Sequence, residues 1–108
     1  MHFNEYQKLA MRTKAHYDSA VDQINCAALG IAGEAGEIAE IIKKHKYQGH
    51  PLDEAEVIEE AGDILWYVAL LCDALGVTVG GAAYLNVLKL RERYPDGFEE
   101  ERSINREE

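Results

Sequence analysis

Glu34 and Glu37 stand one helical turn apart, and so do Glu60 and Asp63. On helices, that spacing places each pair on one side, Glu34 and Glu37 beside Ile31, Ile38 and Ile41, and Glu60 and Asp63 between Val57, Ala61 and Ile64. Packing the two helices antiparallel can gather both pairs, and four carboxylates in one place repel unless cations neutralise them or protons bind. Donors that are all oxygen suit a hard cation, Mg²⁺ with Mn²⁺ as a possible substitute. In a chain with 20 acidic residues a single ExxE reads as a solvated face. Two such pairs, each flanking an apolar ladder and about one loop apart, keep a metal site open beside that reading.

Other chemistries find less support. A di-iron bundle needs Glu-x-x-His pairs, and none of His2, His16, His45 and His50 follows a Glu by three residues. No nucleophile elbow, phosphate-cradling glycine loop or zinc-type spacing is present. The formal charge of -9 argues against a nucleic-acid or anionic-membrane binder, both of which rely on basic surfaces, and a polyanionic substrate would have to be met with metal ions. Gly30, Gly33, Gly36 and Gly62 fall inside the acid-bearing segments, where each costs about 1 kcal/mol relative to alanine. They offer either close helix approach or room for metal and substrate.

The elements that must position these acids are helical. Phe3, Tyr6, Ala10, Thr13 and Tyr17 recur at three- and four-residue steps, predicting a first helix that ends near Asp18 and Ser19. Ile24, Ala28, Ile31, Ala35, Ile38 and Ile42 predict a longer second helix from about Val21 to Lys46, with Lys43, Lys44 and Lys46 favourably at its carboxyl end. Asp53 with Glu56 resembles a capping box for a third helix carrying Val57, Ala61, Ile64, Val68, Leu71 and Leu75, which ends at Gly76. Its middle, Ile64 to Cys72, is apolar nearly all round and predicts cover from a second subunit as well as from its own bundle. Thr78 can cap a fourth helix with Val79, Ala83, Val87, Leu90 and Tyr94 inward, followed by a turn at Pro95, Asp96 and Gly97.

The expected architecture is therefore one all-α domain over residues 1–98, a four-helix bundle completed by oligomerisation, with a polar tail over 99–108. The length of 108 residues leaves no room for a second domain. Cys26 and Cys72 form no CxxC pair and read as free thiols in a reducing compartment. The first residues are charged and amphipathic, and no apolar run reaches membrane-spanning length, so a cytoplasmic protein without a membrane partner is expected.

Three stretches, ALGIAGEAGEIAEIIKK, EEAGDILWYVA and NVLKLRERYPDGF, resemble the MazG-type nucleoside triphosphate pyrophosphohydrolases of the all-α NTP pyrophosphatase superfamily. The resemblance runs from about Tyr17 to Phe98 and includes that family's ExxE followed by ExxD, here with 22 residues between the pairs. It implies Mg²⁺-dependent hydrolysis of an NTP or dNTP between the α and β phosphates, giving monophosphate and pyrophosphate, in a homodimer or homotetramer with a housecleaning role. Glu34, Glu37, Glu60 and Asp63 would hold the metal, and Glu34 or Glu37 would orient or deprotonate the attacking water. Many members carry a further Glu just before the first of the motif, whereas Gly33 stands there in this chain. That departure leaves the number of ions and the identity of the base open.

Four further groups join the expected site as substrate ligands. Lys44 lies two turns beyond Glu37 and could reach a phosphate, or serve only the helix dipole. Asn86, Lys89 and Arg93 form a polar stripe suited to a base or sugar and to phosphates, and the family-like NxxKLxxRYP context favours that role over a solvated face. Trp66 reads as core or interface. Arg102 and Arg106 could fold over a neighbouring site, but disorder or loose docking of the tail is the expectation. Two rival functions remain: a catalytically silent helical dimer that binds nucleotide or protein, and a related phosphohydrolase acting on another pyrophosphate linkage such as that of phosphoribosyl-ATP.

Overall fold

The computed structural model describes residues 1–106; Glu107 and Glu108, the end of the expected tail, lie outside the described residues. Five helices follow one another: α1 (Phe3–Met11), α2 (Ala20–Tyr47), α3 (Glu54–Ala74), α4 (Val79–Arg93) and α5 (Glu100–Ile104). The all-α expectation holds, with no strand among the described residues. No single described helix is long and apolar enough to cross a membrane.

Local chemistry sets the helix ends. The Ser19 hydroxyl accepts the Asp22 N–H at 3.1 Å, the Asp53 carboxylate accepts the Glu56 N–H at 3.1 Å, and the Thr78 hydroxyl accepts the Gly81 N–H at 2.9 Å. Each satisfies an amide that the first helical turn leaves without a partner. At the end of α3 the chain reverses through Gly76, whose φ of 69° lies in the left-handed region. There the Val77 N–H reaches the Cys72 carbonyl at 3.0 Å and the Gly76 N–H reaches that of Asp73 at 3.1 Å, the paired pattern of a Schellman stop.

The first helix is shorter than its apolar spacing predicts, ending at Met11 rather than near Asp18. The Ala10 carbonyl, which a continuing helix would pair with the Lys14 N–H, accepts instead from the Thr13 N–H at 3.1 Å, the Thr13 hydroxyl at 2.7 Å and the Trp66 indole at 3.1 Å. The indole N–H also lies 2.8 Å from the Thr13 hydroxyl. Trp66 therefore ties the end of α1 to the middle of α3, a structural use of its one polar atom.

Helices α2 and α3 form the main hairpin, joined by the loop over 48–53. The expected ladder of α2 holds at Ile24, Ile31 and Ile38, which are half-buried, but not at its other positions. Ala28, Ala35 and Ile42 are exposed, while Gln23 and Ala27 are buried and Gly30, Glu34, Ile38 and Ile41 are half-buried. Small residues decide this, because Gly30 lies so close to the Tyr67 ring that a Cβ there would collide with it. Gln23 completes the face by donating to the Leu70 carbonyl at 3.0 Å and to Asp73 at 2.8 Å.

A small core of Ala10, Ala69, Cys72 and Val79 fills the junction of α1, α3 and α4, with Tyr6, Met11, Trp66 and Val68 packed around it. Gln7 pins that junction, accepting the Val79 N–H at 2.8 Å and donating to the Val77 carbonyl at 3.1 Å. Beyond it α4 leaves α3 at 99°. Val87 and Leu90, expected inward, are exposed together with Tyr84, Leu85 and Leu88, because no other described element covers that length of α4. The radius of gyration, 17.0 Å, exceeds the value of about 13 Å usual for a closed domain of this length.

Candidate metal centre

The register of the α2–α3 hairpin builds the site. Gln23 meets Asp73 at one end and Gly30 meets Tyr67 in the middle. One turn after Gly30 comes Glu34, and one turn before Tyr67 comes Asp63. The antiparallel pairing thus carries Glu34 onto Glu60 and Asp63, and one carboxylate oxygen from each of the three lies within 4.8 Å of the other two. Glu34 and Glu60 are half-buried and Asp63 is exposed.

The electrostatics are those of crowded anions. Hydrogen bonding with Glu34 holds the Glu60 carboxyl above its ordinary value, and partial burial and the charges of Glu34 and Asp63 push in the same direction. A proton shared between two acids relieves the repulsion that a cation would otherwise relieve. The donor set is all carboxylate, on two helices fixed by their packing, and open to solvent on the Asp63 side, which fits a hard divalent ion that keeps several waters. Glu34, Glu60 and Asp63 are the residues that could hold it.

Glu37 is not among the three converging oxygens. It is exposed one turn further along α2 and lines a separate cavity of about 120 Å³ with Lys44, His50, Asp53 and Glu56 at the α2–α3 loop. The expected neighbourhood of Glu37 and Lys44 is present there. Lys89 and Arg93 line a groove at the far end of α4, whereas Asn86 is exposed and does not line it. None of Glu34, Glu60 and Asp63 lines that groove, so it is separate from the converging acids.

One neighbour of the acids escapes sequence reasoning. Burial and then the Asp63 charge raise the Tyr6 phenol above its ordinary value, so α1 brings a hydroxyl-bearing ring near the cluster. Spacing within α1 assigns Tyr6 to an inward face but carries no signal of which residue of α3 it faces. Gly30 serves close approach, while Gly33, Gly36 and Gly62 are exposed and have nothing within 4 Å of where a Cβ would stand.

The chain is 34% identical over 106 residues to the Gene 37 protein of Mycobacterium phage L5, covering 90% of this chain and 92% of that one. No solved structure matches it. The profile of the MazG nucleotide pyrophosphohydrolase domain matches residues 24–98, a span that contains both acid pairs and the α4 cations. The chain belongs to the MazG nucleotide pyrophosphohydrolase domain family.

Proposed function

We propose that this chain is a Mg²⁺-dependent nucleoside triphosphate pyrophosphohydrolase, cleaving NTP or dNTP between the α and β phosphates to the monophosphate and pyrophosphate. The observation that carries the reading is the convergence of Glu34, Glu60 and Asp63 on one point of the α2–α3 hairpin. A bound divalent ion would supply neutralising charge and Lewis acidity toward the phosphates. In this reading Glu37 belongs to the same metal-binding set.

The protein's own groups would then position and deprotonate. Glu34 or Glu37 takes the proton of the attacking water, whose oxygen bonds to the α-phosphorus as the bond to the departing pyrophosphate breaks. Lys44, beside Glu37, and Lys89 and Arg93 on α4 bind phosphate oxygens, and Asn86 contacts the base or sugar. The exposed apolar side of α4 supports a homodimer or homotetramer, which would cover Tyr84, Leu85 and Leu88. Removal of unwanted nucleotides from the cytoplasmic pool is the corresponding role.

The deciding experiment incubates the purified protein with a panel of NTPs and dNTPs, with Mg²⁺ and with chelator, and resolves monophosphate plus pyrophosphate from diphosphate plus phosphate. Monophosphate and pyrophosphate that disappear with chelator, and in Glu37→Gln and Asp63→Asn, are expected. Absence of metal-dependent turnover of every nucleotide would overturn the reading.

A further inference from the structure

Helix α1 is anchored beside the acids, and the anchors fix Tyr6. The Trp66 indole, one turn after Asp63 on α3, donates to the Ala10 carbonyl at 3.1 Å and lies 2.8 Å from the Thr13 hydroxyl. Tyr6 is one turn before Ala10, on the same side of α1, and its ring packs against the core of Ala10, Ala69, Cys72 and Val79. On either side of it Asn4 accepts the Gly80 N–H at 3.0 Å and Gln7 accepts the Val79 N–H at 2.8 Å, so the ring is held in place from both directions along the helix. The ring is half-buried, and among the described residues no hydrogen bond uses its hydroxyl. Burial and then the charge of Asp63 raise the phenol above its ordinary value, which puts that carboxylate within electrostatic reach of the ring.

Asp63 has an acceptor to spare. One of its oxygens converges with one oxygen each of Glu34 and Glu60, within 4.8 Å, which leaves its second oxygen outside that set. Glu60 is hydrogen-bonded with Glu34, whereas Asp63 is exposed and has no such tie. A carboxylate holds a cation well when a further hydrogen bond fixes its orientation.

We propose that Tyr6 is a positioning residue of this metal centre, its hydroxyl donating to the second oxygen of Asp63 and so fixing the carboxylate that completes the set with Glu34 and Glu60. The inference rests on the metal-dependent reading above and extends the centre from the α2–α3 hairpin to α1, which lies outside the span matched by the family profile, residues 24–98. A neutral donor is the chemistry such a place calls for. A Lys or Arg would compete with the cation for the charge of Asp63, whereas a phenol O–H orients the oxygen and leaves the charge available.

The test titrates Mg²⁺ by calorimetry into the full chain and into Tyr6→Phe, which keeps the ring and its packing and deletes the hydroxyl alone. The Kd for Mg²⁺ is expected to rise about tenfold or more, while the denaturant midpoint measured in chelator stays at the parental value. In turnover of NTP the variant should need correspondingly more Mg²⁺ for half-maximal rate and reach the parental kcat at saturating Mg²⁺. An equal Kd in parent and variant overturns the proposal and leaves the metal centre standing, and a lowered midpoint at unchanged Kd would make Tyr6 a packing residue only. A parent that binds no Mg²⁺ overturns the metal reading and the proposal with it. The Kd contrast without turnover of any nucleotide upholds the role of Tyr6 and removes the hydrolase reading alone.

Discussion

Gly30 of α2 lies against the ring of Tyr67 of α3, one helical turn from Glu34 on its own helix and one turn from Asp63 on the other. A contact that requires glycine therefore lies one turn from the acids on both helices. A glycine that costs helix stability is retained where it sets the geometry of a site.

Gly30→Ala should consequently lose stability. Alanine gains about 1 kcal/mol of helix propensity, but crowding a packed contact costs about 1–3 kcal/mol, and the Tyr67 ring must move. Gly33→Ala, where a Cβ meets nothing within 4 Å, should keep the propensity gain. Urea unfolding of both variants reads the contrast; a more stable Gly30→Ala would mean that the ring yields freely.

The acid cluster predicts opposite effects with and without metal. Glu60→Gln removes one of three crowded charges, so in chelator the variant should melt above the parent. Mg²⁺ should raise the melting temperature of the parent, by up to about 2.7 kcal/mol of stabilisation when the ion is present at a hundred times its Kd, and should move the variant far less. A Glu60→Gln protein that melts below the parent in chelator would show that the acids support the fold.

Acid sensitivity should centre on Asp73. Hydrogen bonds from Lys14 and Gln23, at 2.7 and 2.8 Å, hold its carboxyl below the ordinary value, and the Lys14 charge adds to them against partial burial. A folded-state pKa below the unfolded one contributes stability that is present above the unfolded value and is lost as pH falls through the folded value. Stability should therefore fall more steeply below about pH 4 in the parent than in Asp73→Asn. Denaturant midpoints across that range check the slope, and parallel curves would remove Asp73 from the account.

Much of this protein is legible in its sequence, and the illegible parts share a cause. The caps at Asp53 and Thr78 and the stop at Gly76 are local, so residue types three or four apart reveal them. The end of α1 is only partly local, because Trp66, more than fifty positions away, joins Thr13 at the Ala10 carbonyl. The face of α2 departs from the expected ladder in part for the same reason, although Ile24, Ile31 and Ile38 are half-buried as expected. Counting isoleucines selects the ladder through Ala28 and Ala35, while the contact of Gly30 with Tyr67 turns Gln23, Ala27 and Glu34 inward. For the site, the spacing of Glu34, Glu60 and Asp63 announces the acids, but the nearness of Tyr6 to Asp63 depends on helix packing that no periodicity records.

Trp66→Phe should loosen α1 without disturbing the α2–α3 hairpin. It deletes the indole N–H that meets Ala10 and Thr13, at a cost of about 1–2 kcal/mol. Amide hydrogen exchange should quicken across Phe3–Met11 and stay slow around Leu70. Uniform acceleration through α2 and α3 would mean that the whole fold depends on this contact.

The α4 surface predicts a change of assembly. Tyr84 is 62% exposed and Leu85 66%, and Val87, Leu88 and Leu90 are also exposed, whereas on α3 Ile58 is 71% exposed and Leu65 44%. Large side chains in such number on a chain of this length are normally covered, and the described part of the chain leaves them exposed. Leu85→Glu with Leu88→Glu places two charges on that side without touching Val79 and its neighbours in the core. Sedimentation should then give a smaller species than the parent, with α1 to α3 still helical by circular dichroism. A parent that itself sediments as a monomer would remove a second copy as the cover of this face.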